Sequence, residues 1–213
     1  MLLPMQTNTT PNTAHAIKLA DRVSLWLFAA AGAVIAAWVA WSAVTRIIEV
    51  LPNRDVAVLA TFAGTPAEAP IGPDGAPVPV ALDQAVLTVP ALPVASQWAI
   101  VIQQLVLMVA VIVGVAALVW LIRNVARGVV FCRTNTVLVA TAGFVGLAGF
   151  IAVPFFGNMA ANGGFAVLSE RTFDNVIMSV DPFALVLWAF AVALLCTVFS
   201  IGERLQRDTE GLV

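Results

Sequence analysis

A chain of 213 residues in which 61 % of the side chains are hydrophobic and only 10 % are charged has too little polar surface to clothe a water-soluble core of its size. Its net charge of −2, from 10 basic and 12 acidic residues, supplies no basic excess for direct nucleic-acid binding. One histidine and two cysteines leave no ligand set for a zinc centre and no disulfide framework.

Residues 1–22 form a polar leader. Its run Thr7, Asn8, Thr9, Thr10, Pro11 and Asn12 predicts disorder at its start, and His15 within it is expected to be solvated. Four apolar blocks without Asp, Glu, Lys, Arg or His follow at 23–44, 98–122, 136–156 and 182–201. Each is at least about 20 residues long, enough for a helix to cross about 30 Å of hydrocarbon. The first is longer than the apolar stretch of a signal peptide and is therefore read as a retained helix. The expected fold class is an all-α membrane protein: four transmembrane helices at 23–46, 98–122, 136–156 and 182–202, with a small extracytoplasmic loop or β-hairpin cap.

Orientation follows from the cations, which favour the cytoplasmic flanks of membrane helices. Lys18, Arg22, Arg123, Arg127, Arg133, Arg204 and Arg207 fall on one side, against Asp21, Glu203, Asp208 and Glu210. Arg46, Arg54 and Arg171 fall on the other among eight acids. Both termini are thus expected in the cytoplasm, with the basic side against anionic lipid. Trp26, Trp120, Trp41 and Trp98 suit interfacial belts, and Trp38 and Trp188 are expected to pack deeper.

The extracytoplasmic loop 47–97 is longer than two neighbouring helices require. Its turn signal Gly72-Pro73-Asp74-Gly75 and the alternation in Val78, Val80, Leu82 and in Val86, Thr88 predict short strands, with a mobile Pro/Ala-rich loop as the alternative. A second loop is expected at 157–181, where Asn158, Asn162, Gly163 and Gly164 are turn formers. Asp181 before Pro182 reads as the cap of the fourth helix.

The cytoplasmic loop 123–135 is short, so the helices that it joins should form an antiparallel hairpin. Gly128 is placed to end one helix in a left-handed conformation, Phe131 to dip into the interface, and Thr134 or Asn135 to cap the next. Gly143, Gly146 and Gly149 let a neighbouring helix approach closely and are candidates for driving a homo-oligomer. Pro154 is a candidate kink. Gln103 and Gln104, the strongest polar pair within a span, either bond across helices or line a cavity. Cys132 reads as a free thiol or an acylation site, and Cys196 as a packing residue. Acid, base and nucleophile are all missing from the spans, so neither an enzyme nor a cofactor is expected.

The stretch Asn124-Val125-Ala126-Arg127-Gly128-Val129-Val130-Phe131-Cys132-Arg133-Thr134-Asn135 resembles the central signature, G-x-x-F-x-x-x-N, of domain-of-unknown-function family 2975. These are small four-helix bacterial membrane proteins. The closing pattern of that family, G-x-x-L-x-x-[DE], is matched by Gly202, Leu205 and Asp208. Cys132-Arg133-Thr134 stands where more polar residues are common. The likeness covers most of the chain from Val23 onward and implies a bacterial plasma-membrane location and a cytoplasmic helix-turn-helix regulator as partner. The functional expectation is a non-enzymatic regulator or sensor that grips a cytoplasmic partner through the loop and the tail 203–213. The tail is otherwise a helix end held at the headgroups by Arg204 and Arg207. A transporter, channel or accessory subunit, and a structural oligomer, are the alternatives.

Overall fold

Apolar side chains in unbroken blocks give long helices, and the computed structural model, which describes residues 19–210, is built from four of them. They are α1 (Leu19–Val50), α2 (Val94–Ala126), α3 (Arg133–Leu168) and α4 (Pro182–Glu210). All four are long and apolar enough to cross a membrane, and almost none of each span is buried within the protein. The expected disorder of the leader, His15, Lys18, Leu212 and Val213 lie outside the described residues.

Every helix overshoots its apolar block. α3 does so most, with 36 residues and therefore a length of about 54 Å. The expected loop start at 157 is corrected accordingly: Asn158, Asn162, Gly163 and Gly164 are helical, and the non-helical connection begins only after Leu168. Their weak helix propensity is overridden because Ala160, Ala161, Gly164 and Phe165 are buried against other elements. The alternating runs at 78–82 and 86–88 likewise belong to one strand rather than two. That strand, β2 (Val78–Val89), pairs antiparallel with β1 (Val56–Ala69) across a 3₁₀ turn at Pro73–Gly75.

The hairpin is irregular at one place. Thr61 pairs with Gln84 and Thr65 with Leu82, so Phe62, Ala63 and Gly64 bulge opposite Asp83. The half nearest the helices is buried at Val56, Val58, Ala60 and Val89, whereas the distal half is largely exposed.

The helices stand in an open row. α1 packs on α2, α2 on α3, and α3 on α4, without substantial contact between α1 and α4 or between α2 and α4. The hydrophobic core lies at the hairpin end instead of midway along the helices. There Val50, the base of the hairpin, Leu92, Ala99 and Ile100 meet Ala160, Ala161 and Phe165 of α3. Phe62, Phe165 and Phe173 close it as a ring cluster with centroids 5.1–6.1 Å apart. Apolar burial is thus concentrated at that end, while along the long helices most large apolar side chains are exposed.

Polar side chains hold the junction. The Asn53 amide donates to the Leu92 carbonyl (2.9 Å) and its oxygen accepts from the Leu92 amide (2.8 Å), tying the exit of α1 to the entry of α2. Gln97 donates to the carbonyls of Val50 and Leu51 at 3.1 and 3.0 Å at the end of α1, where the Asn53 backbone amide also donates to Val50.

Candidate functional site

Two groups of side chains stand apart from the packing of the spans, one at each end of the row.

At the hairpin end, α1, β1, α2, α3 and the 169–181 connection surround a chamber of about 440 Å³ whose lining mixes polar and apolar side chains. Its polar lining is Arg46, Thr61, Gln103, Gln104, Asn158 and Ser179. Arg46 pairs with Glu49 at 3.2 Å and donates to the Ala57 carbonyl, which fixes a cation under the hairpin. Gln103 donates to the Val153 carbonyl (3.0 Å) across the α2–α3 interface. That approach requires Gly157, where a Cβ would stand 2.6 Å from the Gln103 amide nitrogen. Both expectations for the glutamine pair therefore meet in Gln103, which bonds across helices and lines the chamber, while Gln104 lines it as well.

Asn158 also lines a second hollow of about 430 Å³ with Asn162, Arg171, Asp174 and Asn175. Its side-chain oxygen is buried without a hydrogen-bond partner within the protein. Asn175 donates to the Thr61 carbonyl (2.8 Å) at the edge of the bulge, holding the connection over the chamber. Arg46, Asn158 and Asn175 carry no local sequence signal for this role, since the chamber exists only when five segments meet.

At the opposite end, four of the motif residues converge. Gly128, with φ +82°, ends α2 in a left-handed conformation. The Gly128 amide bonds to the Val125 carbonyl (2.9 Å) and the Val129 amide to the Asn124 carbonyl (3.0 Å). Asn135 is 0 % exposed. Its amide donates to the carbonyls of Val129 (2.9 Å) and Val130 (2.8 Å), and its oxygen accepts from the Asn124 amide (2.7 Å).

The expected capping by Thr134 or Asn135 is thus corrected. The helix starts at Arg133, Cys132 is its N-cap without a side-chain bond, and Asn135 turns back to hold the loop. Phe131 rests on Gly202 so closely that a Cβ there would overlap the ring, and it meets the Phe199 ring at a tilt with centroids 5.9 Å apart. The hydroxyl of Thr136 donates to Glu203 (3.1 Å), which also pairs with Arg207. Leu205 and Asp208 remain exposed, Leu205 beside Phe131 and Gly202 on a shallow apolar hollow.

The three glycines of α3 divide. A Cβ on Gly143 would stand 2.5 Å from Val192 of α4, and one on Gly149 would stand 3.0 Å from Ala110 of α2. Close approach at these two positions is used between helices of the chain itself. Only Gly146 has no neighbour within 4 Å of a Cβ position. It lines an apolar groove of about 580 Å³ between α2, α3 and α4. Trp188 edges this groove, and both Trp188 and Trp38 are exposed on their helices. Both stand on helix faces that no other element covers.

Among the described residues no three His, Cys, Asp or Glu side chains converge as a metal site, and both Cys132 and Cys196 are free thiols. No family model matches the chain, and neither does any curated protein or solved structure.

Proposed function

We propose that the protein is a non-enzymatic membrane regulator or sensor of the bacterial plasma membrane, with the hairpin outside and both termini in the cytoplasm. The chamber under the hairpin takes a ligand, and the end built on Phe131, Asn135, Gly202 and the exposed Leu205 and Asp208 engages a cytoplasmic partner. The chamber carries this reading. Five segments contribute to one cavity of mixed lining, so a ligand there would bias the relative placement of α1, α2, α3 and the hairpin. The α2–α3 pair links that cavity to the Asn135 cluster at the other end. The partner implied by the family resemblance is a small helix-turn-helix regulator.

Partner capture by cross-linking in cells tests the proposal. The full chain, a chain ending at Gly202 and the Gln104→Ala chain are compared. Truncation should remove a partner, and Gln104→Ala should change its recovery; unchanged partner lists in both would sink the reading. A second reading, an accessory subunit of a larger membrane complex, draws on the open row of helices, in which α1 and α4 make no substantial contact. Flux through proteoliposomes containing only this chain should accordingly be absent.

A further inference from the structure

The lining of the chamber under the hairpin is lopsided in charge. Arg46 contributes to it, and among the described residues no Asp or Glu side chain does. Glu49, which pairs with Arg46, lies outside the lining with its side chain 64 % exposed, whereas the Arg46 side chain is 29 % exposed. Glu49 and the Ala57 carbonyl each take one guanidinium donor, and the planar fork retains others. Gln104 also lines the chamber and forms no hydrogen bond among the described residues, so its amide is a further donor without a partner. Most of the remaining lining is apolar, with Val58, Leu59, Ile100, Ile177 and Met178.

We infer that the chamber binds a small monocarboxylate with a compact apolar body, its carboxylate on Arg46 and Gln104 and its body against the apolar lining. The inference rests on the reading of the chamber as a ligand site and names the class of its ligand. Charge selects an anion, because a cationic ligand would meet Arg46 with no acid in the lining to offset it. Shape selects a carboxylate, which matches the planar fork of a guanidinium. A phosphate would bring a second charge that no other cation in the lining neutralises. Size selects a small molecule, since about 440 Å³ falls within the range of about 300–1,000 Å³ typical of such sites.

The test is equilibrium dialysis of radiolabelled hexanoate against the full chain in phosphatidylcholine nanodiscs at neutral pH, with empty nanodiscs as the blank. One saturable hexanoate per chain is expected. Hexanamide and hexylamine keep the apolar body without the anion and should not compete, and hexyl phosphate should compete poorly. Arg46→Gln should weaken binding by about tenfold, the size of one hydrogen bond to a charged group. Because Arg46 also ties α1 to β1, Gln104→Glu supplies a variant that leaves this tie alone. The anion that it adds to the lining should weaken hexanoate by about tenfold as well. Glu49→Gln, which returns a donor to Arg46, should tighten binding. Binding no greater than the blank, competition by hexanamide equal to that by hexanoate, or undiminished binding in Gln104→Glu would each overturn the inference. Hexanoate that binds while partner capture stays unchanged leaves the ligand standing and removes the sensor. Partner recovery altered by Gln104→Ala in a chain that binds no hexanoate does the reverse, so a wrong ligand and a wrong function are told apart.

Discussion

Asn135 holds more of the loop 127–132 than any apolar residue there, because it satisfies two carbonyls and one amide while wholly buried. Replacing it with Ala leaves those groups unpaired, and we expect a loss of about 2–4 kcal/mol, measured as resistance to unfolding in mixed micelles. Gly157 and Gln103 make a second, sharper case. Gly157→Ala should cost about 1 kcal/mol by pushing Gln103 from the Val153 carbonyl, and should cost almost nothing in a Gln103→Ala background. Additive effects in that double-mutant cycle would contradict the contact. Some of this chemistry was legible in the sequence: Gly128 at a helix end and Asp181 as a cap, where the Phe183 amide donates to Asp181 at 2.9 Å. Asn135 stands out in sequence but with the wrong role, since the direction of its side chain depends on carbonyls that the loop presents only once folded. Asn53 and Gln97 are silent because their partners lie 39 to 47 residues away.

Helices and strands were read from apolar blocks, and blocks locate centres better than ends. α2 begins at Val94 because Pro93 precedes it and its carbonyl accepts from Ser96 and Gln97 at 2.9 Å, a start that hydropathy does not register. α3 runs on through Asn158, Asn162, Gly163 and Gly164 because Phe165 anchors its far end among Phe62 and Phe173. Phe165→Ala should therefore cost about 3–5 kcal/mol and loosen the end of α3. Faster hydrogen exchange confined to 157–168 and to the base of the hairpin is the expected signature; exchange unchanged there would remove the anchor from the account. The hairpin was expected from its turn signal and alternation, but the pairing partner at 56–69 was not. The bulge at 62–64 interrupts its period of two, which is the signal that such a reading relies on.

For the molecule as a whole, four long apolar helices were foreseeable and their open arrangement was not. Hydropathy reports the solvent of a helix and says nothing about which neighbour it chooses. The proposed orientation is open to direct measurement. In a Cys132→Ser, Cys196→Ala background, a cysteine at Asp74 in the hairpin turn should be labelled in intact cells by a membrane-impermeant maleimide, whereas one at Thr209 should not. The reverse pattern would invert the protein.

The placement of the dry interior at one end has a thermal consequence. Helices held by lipid persist without tertiary contacts, whereas the aromatic ring cluster and the Asn53 clasp depend on water to keep them closed. Heating a reconstituted sample should erase near-ultraviolet ellipticity first and leave the far-ultraviolet helical signal almost whole. Melting would then proceed from one tip, as a lid loosening on a frame that stays standing.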